Sequence, residues 1–441
     1  MSSLPRALAS LLAPLAPLVF LAIACNSGDS TSPLGSIGYT RGGAATPQSA
    51  DASGPPSAAS DAASPPPVAE PDGGPPSSPA NDAGSLPGMD AGAAETDAQG
   101  PLGPLVVYAS GYGPDINLYP LDASTGALGA PTTTQAFSDN PSFLAINREV
   151  THLYAVDEDT AGQVGAYTID PKTGALTFQN SVSSGGNGPP FLGLDRSESF
   201  LLVANYGDGT VSVVPVKADG SLSAPTSTLQ VGMNAHMIIA DPSNQFVFVP
   251  CLGADYVAQF LFDAKTGTLT PNAVPHVLAA SGAGPRHLAF HPNGKFVYLV
   301  NETNSTLTLY TLDSTAGTLT EVQTVPTTPS GFSGTNTAAE VWVHPSGSWV
   351  LASNRGDDSI VVFAIDPTTG KVSSPTFTKS GGTTPRDFTI DPTGRFVFAA
   401  NQDSGNVVPF TFDATTGALT AAGSPMSLTM ASFVGVVRLA P

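Results

Sequence analysis

From Leu105 onward, short runs rich in Val, Ile, Leu, Phe and Thr alternate between apolar and polar positions. A period of two residues is typical of a β-strand with one buried face, and the Gly and Pro residues between the runs favour turns. No window of this region has the spacing of a long amphipathic helix. The pattern therefore predicts an all-β domain.

A short turn motif recurs through this region: an Asp, a glycine a few residues later, and then an apolar side chain. Seven glycines mark it, and they are separated by 48, 46, 47, 50, 53 and 47 residues: Gly126, Gly174, Gly220, Gly267, Gly317, Gly370 and Gly417. Each interval has room for four short strands, and repeats of this size indicate the blades of a propeller. We therefore predict a seven-bladed β-propeller over residues 104–441.

A second motif lies between these turns and consists of a strand, a tight turn and a returning strand. It is clearest at residues 286–302, and five more copies share its outline: 142–158, 190–206, 236–252, 339–355 and 386–402. The seventh copy is divided, because residues 432–437 supply one strand and residues 105–109 the other. Pairing the two ends of the chain would close the ring and remove its exposed edges.

The residue that starts each hairpin and the residue that ends it lie on one face, because the two strands are antiparallel. The start positions are Ser142, Pro190, His236, Arg286, Ala339 and Arg386, and the return positions are Glu158, Tyr206, Leu252, Glu302, Arg355 and Gln402. Packing favours one residue type in every blade, whereas these positions differ and carry most of the unusual charge. We expect them around one mouth of the channel, where Arg286 and Glu302 should be solvated and lie outside the core between blades. The alternative is a set of solvated or mutually paired rim charges that form no site.

An asparagine recurs one residue before four of the return positions, as Asn205, Asn301, Asn354 and Asn401. A residue repeated in this way indicates a structural turn or cap.

The remaining histidines are weaker candidates for a site. His291 and His344 stand at the turn position that other hairpins fill with Asp, so they are predicted to be structural. His287, beside Arg286, can face either the channel or the blade. The last two are predicted in a second strand and in a loop, respectively: His152 and His276.

Residues 1–25 are typical of an export signal. Arg6 is their only charge, and a mostly apolar run of 18 residues, interrupted by two prolines, precedes Cys25. Such a run is short for a membrane span. The sequence Leu-Ala-Ile-Ala-Cys at 21–25 resembles a bacterial lipoprotein signal, which implies an exported protein held at the membrane by a lipid on Cys25. A plain secretory signal cleaved near Ala24 is the alternative.

Residues 26–103 are mainly Ala, Pro, Ser, Gly and Asp, with nine acidic residues and one basic residue. Such a segment cannot bury enough apolar surface to offset its ordering entropy, so we expect a disordered tether. Over the whole 441-residue chain the net charge is −20, which disfavours nucleic acid as a partner. Two cysteines are too few for a disulfide framework or a Cys-rich metal site.

The propeller resembles the seven-bladed lactonase family that includes 6-phosphogluconolactonase and the carboxy-muconate lactonising enzyme. The resembling stretches include GPRHLAFHPNG at 284–294, VNE at 300–302 and SNRG at 353–356, with others at 204–210, 249–255 and 385–387. The resemblance implies a small lactone, or its ring-opened acid, as substrate. It also implies that four of the start and return residues form the active site: His236, Arg286, Glu302 and Arg355.

Opening a lactone requires a more nucleophilic water and an oxyanion that is stabilised as it forms. Glu302 or His236 is the candidate acid/base, and Arg286 and Arg355 are candidate anion clamps, so no metal or cofactor is needed. Neighbouring residues are expected to bind an anionic substrate: His287, Arg386, Glu158 and Tyr206. Ring closure shares the transition state of ring opening, so the direction stays open. We expect a monomer.

Two other readings remain. A non-catalytic propeller can bind a protein or glycan at the cell surface, because fold does not imply function. A metal-dependent lactonase can use Glu158, Asn205 and Asn301 as oxygen ligands, although the sequence contains no metal motif.

Overall fold

Seven antiparallel sheets account for the described residues, 102–441, of the computed structural model. Each sheet has four strands in series, and one sheet carries a short additional strand. Among these residues the single helical segment is a 3-10 turn at Leu252–Ala254. The prediction of an all-β, seven-bladed propeller is therefore confirmed. The predicted signal, Cys25 and the predicted linker as far as residue 101 lie outside the described residues.

The chain enters the ring in the outer strands of one blade and then completes six more blades in order. The first three strands are β1 (Leu105–Gly111), β2 (Gly113–Pro120) and β3 (Thr132–Gln135). Blade 1 contains β4 (Leu144–Ile146), β5 (His152–Asp157), β6 (Gln163–Ile169) and β7 (Leu176–Ser183). Blade 2 contains β8 (Phe191–Leu194), β9 (Phe200–Asn205), β10 (Thr210–Pro215) and β11 (Ser227–Gln230). Blade 3 contains β12 (Ile239–Ala240), β13 (Phe246–Cys251), β14 (Tyr256–Asp263) and β15 (Thr268–Leu278).

The second half of the ring repeats the same plan. Blade 4 contains β16 (Pro285–Phe290), β17 (Phe296–Asn301), β18 (Thr306–Asp313) and β19 (Thr318–Pro326). Blade 5 contains β20 (Thr337–Val343), β21 (Trp349–Arg355), β22 (Ser359–Ile365) and β23 (Val372–Lys379). Blade 6 contains β24 (Pro385–Ile390), β25 (Phe396–Asn401), β26 (Asn406–Asp413), β27 (Ala418–Ala421) and the short β28 (Met426–Ser427). Blade 7 consists of β29 (Ala431–Arg438) together with β1, β2 and β3.

The first strand of each hairpin lies at the inner edge of its blade. These edge strands contact one another from blade to blade, as β16 does with β20, β20 with β24, and β24 with β29. They therefore surround the axis, and the start positions lie at one end of the channel that the strands enclose.

The two ends of the chain close the ring by pairing with each other. Strand β29 runs antiparallel to β1, with Leu105 opposite Arg438 and Tyr108 opposite Gly435. Val434, Val436 and Val437 of this strand are buried. The predicted pairing is confirmed, and the register places the C-terminal strand innermost in blade 7.

The seven turn glycines are required by both backbone conformation and space. All seven have φ between +64° and +78°, a region that disfavours side chains. A Cβ on Gly317 would lie 2.0 Å from a ring carbon of Phe246, which belongs to the preceding blade. The turn between the two outer strands of one blade therefore packs on the blade before it.

Tyrosine hydroxyl groups join neighbouring blades at these same turns. Tyr298 donates to the carbonyl oxygen of Gly370 at 2.7 Å, and Tyr154 donates to that of Gly220 at 3.2 Å. A repeated glycine and a repeated tyrosine thus fix the angle between successive blades.

The recurring asparagines and two histidines have the structural roles that the sequence predicts. Asn354 donates from its side-chain amide to the Thr327 carbonyl at 2.7 Å, and Asn401 donates to Ser380 at 3.2 Å. His291 and His344 each accept a backbone N–H two residues on at Nδ1, and each bonds through Nε2 to a carbonyl of the next blade. The prediction for His276 is wrong: it lies in β15 and stacks on Tyr256 at 4.9 Å.

Within residues 102–441, no helix has the length and apolar character needed to cross a membrane.

Ring closure makes a testable prediction about stability. Truncation after Ala431 removes most of β29 and its buried valines, each of which contributes about 1.5–3 kcal/mol. We expect the free energy of unfolding to fall by more than about 5 kcal/mol, with aggregation through the exposed edge of β1. Calorimetry and light scattering measure both effects. Deletion of the exposed Pro441 alone is the control, and an unchanged melting temperature after the longer truncation would refute the closure.

Candidate active site

The start and return residues of blades 3–6 meet at one end of the channel. Arg286 lies near the start of β16, and Glu302 directly follows β17. Because these strands are antiparallel neighbours, Pro285 pairs with Asn301, which brings Arg286 and Glu302 side by side. Arg355 ends β21 in the next blade, and Arg386 lies near the start of β24 in the blade after it.

β-Bulges in three successive inner strands shape this end of the channel. The register shifts between Pro285 and His287 in blade 4, and in the same way between Pro385 and Asp387 in blade 6. In blade 5 the shift spans Ala339 and Glu340. A bulge sets two residues against one partner residue and turns side chains that would otherwise alternate between faces. Consecutive side chains such as Arg286 and His287 therefore both contribute to the site.

Glu302 is held between two arginines. Its Oε2 lies 3.0 Å from Arg286 Nε and 2.8 Å from Arg355 Nη2. Burial acts to raise the pKa of Glu302, but Arg286 and Arg355 outweigh it and hold that pKa below its ordinary value. Glu302 is therefore a carboxylate at neutral pH and keeps an exposed fraction of 22%.

The expectation that Arg286 is solvated at the channel mouth is wrong. The side chain is 2% exposed, and Nη1 donates to the Ala339 carbonyl oxygen at 2.6 Å. Burial, together with the neighbouring Arg355, lowers the pKa of Arg286 to about 10, so it remains a cation. A guanidinium buried between two blades does not fit a solvated rim charge, whereas its pairing with Glu302 agrees with the alternative of mutually paired charges.

Glu158, which lies near Arg386, has its own set of polar partners. Glu158 Oε2 accepts from the Tyr112 hydroxyl at 2.7 Å and from the Ser142 hydroxyl. Arg386 approaches Glu158 Oε1 only to 3.9 Å and lies 5.3 Å above the centre of the Tyr112 ring. Among the three site arginines, Arg386 therefore has the fewest close polar contacts within the described chain.

His236 and His287 form an edge-to-face pair of buried rings beside the arginines, with ring centres 4.9 Å apart. His236 Nδ1 lies 3.1 Å from His287 Nε2, and His287 Nδ1 lies 2.7 Å from Glu340 Oε2. Burial, with Arg286 as the next cause, lowers the pKa of each histidine well below its ordinary value. Both imidazoles are therefore neutral at pH 7. The Tyr206 ring packs edge-on against His236 at 5.7 Å.

Two buried carboxyl groups lie behind the histidine pair. Glu340 and Asp387 are 1% and 5% exposed and share a side-chain hydrogen bond. Burial raises the pKa of Glu340 to about 7; burial and the neighbouring Glu340 raise that of Asp387 well above its ordinary value. Val434 donates its backbone N–H to Asp387 Oδ2 at 2.8 Å, and Val341 donates to Glu340 Oε1 at 3.0 Å. This pair therefore holds a proton that two exposed carboxylates would release.

An apolar layer and a cavity lie next to the histidines along the channel. Phe143 packs on Phe191 and Phe433 at 4.7 and 4.9 Å, and the edges of Phe143 and Phe191 contact His287. The channel contains a cavity whose lining side chains are apolar apart from Asp387 and Trp342. The charged groups thus occupy one mouth, and an apolar interior lies beside Asp387.

The three residues of the metal-ligand reading have hydrogen-bond partners within the described chain. Glu158 accepts from Tyr112 and Ser142 and lies near Arg386, and the side-chain N–H groups of Asn205 and Asn301 donate to neighbouring hydroxyl and carbonyl oxygens. Residues 102–441 also contain no group of three or more His, Cys, Asp or Glu side chains placed to bind a metal ion.

Sequence reasoning missed Tyr112, Glu340 and Asp387. Glu340 and Asp387 follow the start positions by one residue, where the equivalent residues of the other blades are mostly apolar: Phe143, Phe191, Met237 and Phe433. Charge at this inner position is the signal that could have identified them. Tyr112 lies in the divided blade, which has no complete hairpin in the sequence and so no start or return position to compare with the other six.

The chain matches the family model described as "Lactonase, 7-bladed beta-propeller" over residues 105–436. A 6-phosphogluconolactonase of Pectobacterium atrosepticum is 39% identical over 167 residues, which are 38% of this chain and 50% of that protein. One of Serratia proteamaculans is 37% identical over 166 residues, with the same coverage. The match therefore spans about half the length of these curated relatives.

Two solved structures are similar over the whole ring. The periplasmic gluconolactonase of Pseudomonas aeruginosa is 29% identical, with a TM-score of 0.72, and the match covers 77% of this chain and 100% of that one. A Lactobacillus plantarum protein is 27% identical, with a TM-score of 0.70, over 76% of this chain and 100% of that one.

The acid pair makes a prediction about the pH dependence of stability. Between the ordinary carboxyl pKa of about 4 and about 7, the folded protein binds a proton that the unfolded chain has released. The free energy of unfolding should therefore fall as pH rises through this window, by up to about 1.4 kcal/mol per pH unit.

Asp387→Asn should reduce this slope, because the amide donates to Glu340 without binding a proton, while the contribution from the burial of Glu340 itself remains. Chemical denaturation at several pH values measures the slope, with the exposed Asp115→Asn as the matched control. An identical slope in wild type and Asp387→Asn would show that the pair holds no shared proton.

Proposed function

As the chain belongs to the seven-bladed β-propeller lactonase family, we propose that it opens the ring of a small anionic lactone at the mouth of its channel. The observation that carries this proposal is the convergence of three arginines, two glutamates and a neutral histidine at that mouth. An anionic substrate also fits the local charge. The mouth is cationic, although the domain from residue 104 onward has 26 acidic and only 13 basic residues.

The anionic group of the substrate binds to Arg386 and Arg355. Arg386 has few close polar contacts within the described chain, and its planar guanidinium suits a carboxylate or a phosphate. Arg355 shares Glu302 with Arg286 but is more exposed, 12% against 2%. Arg286, being buried, positions Glu302 and adds positive potential at the developing oxyanion. Glu158, Tyr206 and His287 line or support the same pocket.

In the forward reaction a water attacks the lactone carbonyl carbon while a general base removes one of its protons. The oxyanion of the tetrahedral intermediate is stabilised by an arginine, and the bond from the carbonyl carbon to the ring oxygen then breaks. The ring oxygen takes up the proton and becomes a hydroxyl, which leaves a hydroxy acid. The same groups in reverse close the ring.

Of the two candidate bases, His236 is favoured over Glu302. Glu302 is stabilised as a carboxylate by two arginines, and this lowered pKa makes it a weak proton acceptor. His236 is a neutral imidazole, and no hydrogen bond from the described residues occupies its Nε2. Burial is the main cause of the lowered pKa of His236, and the arginines lower it further; an anionic substrate offsets this second contribution and so makes His236 a stronger base.

The non-catalytic reading is not favoured, because the site combines a neutral base with oriented cations in a member of a lactonase family. The substrate class follows from relatives named for gluconolactone and its 6-phosphate, and both are lactones of a sugar acid.

We also propose that the protein is exported and carries a lipid on Cys25. The support is the signal-like sequence before Cys25 and the likeness to a periplasmic gluconolactonase. A tether of residues 26–103 then separates the membrane from a propeller of residues 104–441. The enzyme acts as a monomer in this proposal, since one chain supplies every site residue.

Kinetics on a panel of lactones tests the activity, with gluconolactone and its 6-phosphate as the first pair. His236→Gln should lower kcat by about 10²-fold or more, because the base is lost. Glu302→Gln should act mainly on KM, because it releases the two arginines. Arg386→Lys should raise KM for the phosphorylated lactone far more than for the neutral one, since an ammonium lacks the planar fork.

The matched control is His276→Gln, the same substitution at an exposed position of β15. The melting temperature of each variant separates lost chemistry from lost folding. Wild-type protein that hydrolyses no lactone of the panel, or His236→Gln with wild-type kcat, would contradict the proposal.

Mass spectrometry of the mature N-terminus tests the anchor. We expect the chain to begin at a lipid-modified Cys25, and Cys25→Ala should leave the protein in the soluble fraction. An unmodified N-terminus elsewhere would refute lipidation.

A further inference from the structure

The structure places four buried side chains in a continuous line that ends at the proposed base, His236, and the proposed lactonase does not itself require two of them. Asp387 contacts Glu340, Glu340 contacts His287 at 2.7 Å, and His287 contacts His236 at 3.1 Å. All four are at most 5% exposed. We propose that Asp387 and Glu340 are positioning residues that fix the tautomers of both histidines and leave His236 Nε2 unprotonated toward the substrate.

The direction of each hydrogen bond follows from what each group can donate. In the proposed line Asp387 meets Glu340 through Oδ1, because Oδ2 accepts the Val434 N–H. If Asp387 is the protonated member of the pair, it donates to Glu340 and leaves Glu340 as an acceptor for His287. If the proton is instead on Glu340 Oε1 and is donated to Asp387, Glu340 Oε2 still accepts from His287, so the tautomers below are the same.

The tautomers of the two neutral rings are then determined. His287 must carry its proton on Nδ1 in order to donate to Glu340, so its Nε2 is an acceptor. His236 must in turn carry its proton on Nδ1 to donate to His287 Nε2. Each neutral ring has only one N–H. The other nitrogen of His236, Nε2, therefore carries a lone pair and can accept a proton from water.

At its far end the line meets mainly apolar surroundings. Asp387 borders the cavity, whose other lining side chains are apolar apart from Trp342. The Phe143, Phe191 and Phe433 layer covers one side of His287. Among the described residues, none bonds to His236 Nε2, which is the end of the line at the proposed active site.

The two acids have opposite roles in the proposed line, since Glu340 accepts from His287 and Asp387 donates to Glu340. Two amide substitutions test these roles. In Glu340→Gln the amide oxygen keeps the Val341 N–H, so the NH₂ group faces His287 Nδ1 and donates to it. Both tautomers must then invert, and His236 Nε2 becomes a donor. In Asp387→Asn the oxygen keeps the Val434 N–H, and the NH₂ group donates to Glu340 as the protonated acid did, so the tautomers are retained.

Nitrogen NMR of the full-length protein labelled with ¹⁵N-histidine reads the tautomers directly. The chain has six histidines, which single His→Gln variants assign. His291 and His344 are internal references, because each accepts a backbone N–H at Nδ1 and must be protonated on Nε2. We expect His236 and His287 to be protonated on Nδ1 in wild type and Asp387→Asn, and on Nε2 in Glu340→Gln.

The activity measurement is kept separate from this readout. The proposal rests on the proposed function only for its consequence: Glu340→Gln should lower kcat on a hydrolysed lactone by about 10²- to 10⁴-fold with little change in KM. The exposed Glu321→Gln is the matched control. If no lactone is hydrolysed but the tautomers are as expected, the line stands and the proposed activity falls. A wild-type His236 protonated on Nε2, unchanged tautomers in Glu340→Gln, or inverted tautomers in Asp387→Asn would each overturn the line, whatever the activity.

Discussion

Closure of the ring is the constraint on which the rest of this structure depends. The pairing of β29 with β1 joins the two ends of the chain in one blade, so that seven inner strands surround the axis. Each outer turn then packs on the preceding blade through a glycine that tolerates no side chain. Because every blade must fit between two others, the repeated residues are determined by packing, and variation is confined to positions where the inner strands end.

The site is made by small departures from that repeat. Register shifts in the inner strands of blades 4, 5 and 6 expose Arg286 with His287, Ala339 with Glu340, and Arg386 with Asp387 to the same region. A regular strand would present only alternate residues there. Three bulges thus supply the mouth with cations and the layer beneath it with acids and an imidazole, without altering how the blades pack.

Burial decides the charge state of each of these groups. Glu302 stays ionised because two guanidinium groups lie within 3.0 Å. Glu340 and Asp387 keep a shared proton because burial raises the pKa of both, although His287 Nδ1 lies 2.7 Å from Glu340. The histidines between these two layers are neutral. Charge state therefore changes with depth along the channel. The mouth is cationic, the proposed base beneath it is neutral, and the acid pair beneath the base is protonated.

The sequence alone determined the seven blades, the closing strand pair and four residues of the charged mouth. Repeat period and turn chemistry are local signals, and a residue that breaks a repeat is visible without coordinates. The tertiary structure alone decided that Arg286 is buried, that His287 faces His236, and that Glu340 and Asp387 lie behind them. These facts depend on bulges that shift the register by one residue and on contacts between blades about 50 residues apart in sequence. The one-residue shift has no signature in an apolar-polar pattern, because that pattern assumes that the two faces alternate regularly.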